Sequence, residues 1–226
     1  MAEITPLEYG KIYHIYNRGV NSCTLFHNDE NNRYFLKLYN KYIPQIADTL
    51  AWVLMGNHFH LLVRIKDEYE IQPFPPLEPP SGSSNSDGVP LPTRKPKPSH
   101  QLSHLFNAYA QAYNKVKSRT GPLFESPFHR KLVESTAYLK NLVIYIHNNP
   151  IHHNLNTRFS EYQWSSFNEI LFTYQNNPNC MYIMNLFGNP ESFISSHLES
   201  LKKVNSSLSE LEPLTLKNDD NEKFIL

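Results

Sequence analysis

TLAWVLMGNHFHLLVRI, residues 49–65, is the stretch whose reading decides the fold. Two apolar runs are interrupted at Gly56-Asn57, a pair suited to a tight reversal, so the pattern predicts two strands joined by a turn. The second strand carries His58, Phe59 and His60. Alternate residues of a strand face the same way, so both imidazoles project together while Phe59 points into the opposite layer.

Working outward, KIYHIYN at 11–17 alternates aromatic and β-branched residues and reads as a strand, with Asn17, Arg18 and Gly19 as its turn. Asp29 is the expected cap of a helix through NRYFLKLYNKYI, with Pro44 as its end. The spacing of Leu102, Leu105, Phe106, Tyr109, Ala112, Tyr113 and Val116 predicts a helix over 99–118. FHRKLV at 128–133 reads as a strand, and 136–148 as a helix stopped by Pro150. A loop-rich region follows around Trp164, expected in the core, and then one amphipathic helix over 183–202. This order gives an α+β fold, an antiparallel sheet with helices packed on it.

Nine of the 17 prolines fall within 67–98, mixed with Gly and Ser, which excludes a packed element there and predicts a disordered insertion. The division expected is a domain over 1–170 interrupted by that insertion, then a C-terminal helical extension and polar, flexible tail over 171–226. No apolar run approaches the ~20 residues of a membrane span, and the N-terminus has no apolar signal core. Cys23 and Cys180 form neither a metal-ligand spacing nor a disulfide framework, so a reduced, cytoplasmic setting is expected. The net charge of zero argues against nucleic-acid affinity resting on overall basicity. A local groove remains open to Arg18, Lys115, Lys117, Arg119, Arg130 and Lys131, each of which also reads as an ordinary solvated charge.

Two imidazoles side by side are half of a divalent-metal site. In a chain with 11 histidines the triplet also reads as incidental. Tyr145, in YLKNLVIYIHNNP, lies at the edge of a stripe formed by Leu139, Leu142, Val143 and Ile146, with Asn149 one turn further on. That edge offers a phenol and an amide oxygen to a common point; it also reads as core packing with a helix terminator. Together the two features fit one chemistry. A metal held by two imidazoles and an amide would polarise a phosphate, and a tyrosine beside it would attack the phosphorus and conserve the bond as a phosphotyrosine.

With these residues in view, the sequence resembles the HUH (His-hydrophobe-His) single-tyrosine transposases of bacterial insertion sequences, particularly the REP-associated tyrosine transposases. The matching segments are YHIYNRGVN at 13–21, WVLMGNHFHLLV at 52–63, QLSHLFNAYAQAYNK at 101–115, YLKNLVIYIHNNPIHHNL at 138–155 and WSS at 164–166. The resemblance implies a ferredoxin-like or RRM-like HUH domain, with His58, His60 and Asn149 as ligands of Mg2+ or Mn2+ and Tyr145 as nucleophile. It implies a single-stranded DNA substrate, hairpin-containing at the ends of a mobile element, cut to a 5′-phosphotyrosine and a free 3′ hydroxyl. Relatives differ in whether the tyrosine helix serves its own subunit or a neighbour, so both monomer and homodimer stay open. The sequence departs from the family in Gly56 where many relatives have Pro, in the length of the insertion, and in Ile151, His152 and His153 where relatives often carry Arg or Lys. Two other readings compete: a domesticated, non-catalytic hairpin-binding protein and a relaxase-like nickase.

Overall fold

The computed structural model describes residues 5–74 and 94–209, with side chains described as far as 202. Residues 75–93 of the expected insertion and the tail from 210 lie outside the described residues.

Four strands form an antiparallel sheet: β1 (Ile12–Arg18), β2 (Ala47–Leu54), β3 (His58–Ile65) and β4 (His129–Leu132), in the order β2-β3-β1-β4. The described helices are α1 (Asp29–Tyr42), α2 (Pro98–Val116), α3 (Thr136–His152), α4 (Phe167–Thr173), α5 (Pro178–Phe187) and α6 (Pro190–Ser209). The architecture is α+β. The described residues divide into two compact units, one of residues 5–49, 56–59, 63–74 and 94–132 and the other of 50–55, 60–62 and 133–209.

The first unit is built on large aromatic side chains. Phe59 is fully buried, with ring centroids 5.2 Å from Phe35 of α1 and 5.4 Å from Phe106 of α2. Tyr109 joins the same core and donates its hydroxyl to Leu25 O at 2.7 Å, so the buried phenol is satisfied. Strands β1 and β4 pair antiparallel, with Tyr13 opposite Leu132 and Ile15 opposite Arg130. The turn after β1 depends on Gly19, where a Cβ would stand 2.1 Å from Cys23 O. Helix α1 begins one residue earlier than expected in its cap: Asn28, not Asp29, accepts from Asn31 N, and Asp29 sits in the first turn.

In the second unit, α3 starts at Ser135, whose hydroxyl accepts from Tyr138 N. It does not stop before Pro150 but runs to His152 with the proline inside it. The missing proline N–H removes one intrahelical bond, and the turn is closed beyond it by His153 N to Asn149 O at 3.0 Å and Leu155 N to Pro150 O at 2.8 Å. The helix expected over 183–202 is two helices, because Gly188-Asn189-Pro190 ends α5 and starts α6; Gly188 has φ 91°. Trp164 is half-buried rather than core. Its backbone runs along the edge strand, with Leu54 N donating to Trp164 O at 2.9 Å and Ser166 N to Trp52 O at 2.9 Å, which occupies part of the unpaired edge of β2.

Candidate functional site

Within the first unit, His58 is half-buried at the start of β3. Its Nδ1 lies 2.8 Å from Asn57 Oδ1. An amide oxygen only accepts, so this bond puts the proton on Nδ1 and leaves the lone pair on Nε2, the form of imidazole that coordinates a metal. Asn57 went unnoticed in the sequence beyond its part in the turn; an Asn directly before the His-x-His triplet was the available signal.

In the second unit, His60 is buried, and its ring meets the Tyr145 ring edge to face with centroids 5.5 Å apart. Tyr145 itself is half-buried on α3. Its ring centroid is also 6.4 Å from that of His152, an exposed residue whose imidazole is held below the usual histidine range by partial desolvation and by His153. Asn149, one turn beyond Tyr145, is buried. Two residues beyond Tyr145, His147 points into the core and joins Ser166 and His197 through hydrogen bonds of 2.9 and 3.0 Å. The sequence reading missed this cluster; a histidine in an otherwise apolar helical stripe was its only trace.

The donors fit a divalent cation in kind: each imidazole is a borderline donor and the amide oxygen a hard one, a mixed set that suits Mn2+ better than Mg2+, which favours all-oxygen sets. Among the described residues no three His, Cys, Asp or Glu side chains are grouped as a metal set.

The basic candidates all fall in the first unit, and they differ in how committed they are. Arg18 gives its Nε to Glu125 at 2.6 Å, and Glu125 also faces His129 at 3.6 Å. Arg119 donates to Asn114 Oδ1 and Pro122 O, which staples the end of α2 to the following loop. Lys115 and Lys131 are exposed. Arg130 lies over the Phe128 ring, its Cζ 4.0 Å from the centroid. No described helix is long and apolar enough to cross a membrane.

No protein-family model matches the chain, and no curated protein matches it. Among solved structures, the chain is similar to a REP-associated tyrosine transposase bound to a REP hairpin. The TM-score is 0.52 at 15% identity, over 76% of this chain and 86% of that one. At that identity the likeness is one of fold, and it agrees with the α+β class, an antiparallel sheet with helices packed on it.

Proposed function

We propose that this chain is a transposase that cleaves and rejoins single-stranded DNA, hairpin-containing at its element ends, through a transient 5′-phosphotyrosine at Tyr145. The observation that carries this reading is the placement of a half-exposed Tyr145 ring against the His60 ring at 5.5 Å. A tyrosine kept merely for packing has no need of a His-x-His strand beside it, and a hydrolytic nuclease would activate water instead.

In this reading the Tyr145 oxygen attacks the scissile phosphorus and the bond to the 3′ oxygen breaks. The phenolic proton passes to a base, and the leaving oxygen takes up a proton to become a 3′ hydroxyl. His58, His60 and Asn149 would hold Mg2+ or Mn2+. The cation, when bound, would supply charge stabilisation to the phosphate. Asn57 orients His58, and α3 carries both Tyr145 and Asn149 on a rigid support. The fold neighbour, bound to a REP hairpin, supports nucleic acid as the partner.

A non-catalytic hairpin-binding protein is the second reading, supported by the fold neighbour's bound REP hairpin, which calls for hairpin recognition alone. The test incubates the protein and Tyr145→Phe with Mn2+ and a pool of labelled single-stranded hairpins, followed by denaturing gels. A protein–DNA adduct with the wild type alone supports the transposase. Product release with no adduct points to a nickase, and retained hairpin binding with no cleavage by either protein supports the binder.

A further inference from the structure

The first unit holds a second feature that the transposase chemistry does not use. A cavity of about 570 Å3 opens between α2 and the segment 121–128, within the range of about 300–1,000 Å3 typical of small-ligand sites. One wall is polar: Ser103, Asn107 and Gln111 recur at four-residue spacing on α2 and so share a face. The other is aromatic and cationic, with Phe106 and Phe128 buried and Arg130 lying over the Phe128 ring.

What sets the cavity apart is how its polar groups are spent. Asn17 donates its amide to Glu125 O at 3.0 Å, and Asn114 donates to Gly121 O at 2.9 Å. Arg130 has neither an acidic partner nor a hydrogen-bond acceptor among the described residues, although its Nε is buried. A buried guanidinium donor without an acceptor costs free energy that a ligand can restore. Burial also pushes the Arg130 pKa down, as expected of a cation kept from a counter-charge. Asn107 and Gln111, likewise without side-chain hydrogen bonds among the described residues, offer donors and acceptors at once. Glu125 also lines the cavity and disfavours a bare phosphate. The complement of these walls is planar, uncharged, and carries acceptors on one edge and mixed groups on another. That is a nucleobase, and a guanidinium fork matches best the adjacent O6 and N7 acceptors of guanine.

We propose that this cavity receives one unstacked base of the single strand, with guanine preferred, and that Arg130 reads it. The proposal rests on the nucleic-acid part of the reading above and is independent of Tyr145 chemistry. The test uses the full chain labelled with 15N and the tetranucleotides d(TTGT), d(TTAT), d(TTCT) and d(TTTT). Side-chain amide signals of Asn107 and Gln111 are followed by NMR, and affinities by fluorescence anisotropy. The expected result is movement of both amides with d(TTGT), bound about tenfold more tightly than the others. Arg130→Gln should erase the preference while the general affinity persists, and the exposed-site variant Gln111→Ala should weaken d(TTGT) selectively without a change in melting temperature. Binding with no movement of either amide, or an undiminished guanine preference in Arg130→Gln, overturns the pocket and leaves the transposase reading standing. Absence of binding by every tetranucleotide overturns the pocket as well, while the Tyr145 adduct assay on hairpins judges the transposase reading separately.

Discussion

His147 Nδ1 and His197 Nε2 lie 3.0 Å apart with both rings buried. The direction of every proton in this contact follows from its ends. His197 Nδ1 donates to Phe193 O at 2.7 Å, so its Nε2 must accept from His147 Nδ1. His147 Nε2 then accepts from the Ser166 hydroxyl at 2.9 Å, and Ser166 Oγ receives Trp52 N–H at 2.8 Å. One set of tautomers links α6, α3 and β2, and it requires both imidazoles to be neutral.

Acid should therefore weaken this protein before ordinary carboxylates titrate. Burial pushes the His197 pKa down to about 4 from an unfolded value near 6.5. A histidine whose folded pKa is depressed contributes stability that is complete above the unfolded pKa and is lost as pH falls through the folded one. The window is thus about 6.5 to 4, and the loss is on the order of 3 kcal/mol from this group. Urea unfolding at stepped pH should show the decline, with a shallower slope in His197→Phe. An identical slope in the two proteins would remove His197 from the account.

Two glycines make opposite predictions. A Cβ at Gly19 would meet backbone, Cys23 O at 2.1 Å, whereas one at Gly56 would meet nothing within 4 Å. Gly19 also donates its N–H to Asn57 O at 2.9 Å, so movement of this turn disturbs the chain next to His58. Gly19→Ala should cost about 1–3 kcal/mol, and Gly56→Ala should stay within about 0.5 kcal/mol. Thermal melts of the two variants check this directly, and equal melting temperatures would refute it.

The α+β class was legible because strand and helix periods are strong in β1, β3, α2 and α3, and because apolar runs on both sides of Gly56-Asn57 fix a reversal. Boundaries set by tertiary contact were less so. Asn28 and Asp29 are equally good caps by residue type, and only the chain direction decides between them. Trp164 has a core residue's side chain but serves through its backbone along β2. The split between α5 and α6 was written in Gly188-Asn189-Pro190 and overlooked under a continuous apolar pattern. At the candidate site, His58, His60, Tyr145 and Asn149 stood out as residue types at fixed spacings. The Asn57–His58 bond and the His147–His197–Ser166 link did not, since they depend on side chains meeting across the fold or on a rotamer.

Asn57 should matter to metal affinity without mattering to stability. Removing its Oδ1 leaves His58 Nδ1 without the acceptor that fixes its tautomer. If His58 is a ligand, Asn57→Ala should weaken Mn2+ binding by roughly 10- to 100-fold. Isothermal titration calorimetry reads the affinity, and a melting curve controls for the fold. Unchanged Mn2+ affinity with an intact fold would argue that His58 is not held for coordination.

Pro150 separates stability from geometry. It is buried within α3, where an alanine would add an N–H to the helical ladder but remove ring contacts from the core. These effects oppose each other, so Pro150→Ala should shift the melting temperature by only a few degrees. The proline also lacks the bond that would tie this turn to the preceding one, and that turn carries Asn149 with Tyr145 one turn before it. Restoring the bond should reset the twist of α3 between the two side chains. If Tyr145 is the nucleophile, Pro150→Ala should slow the chemical step on the order of 10- to 100-fold in single-turnover assays of adduct formation, with hairpin affinity unchanged. Wild-type rates would show that the proline is tolerated rather than used, and a parallel loss of hairpin affinity would trace its effect to substrate binding instead.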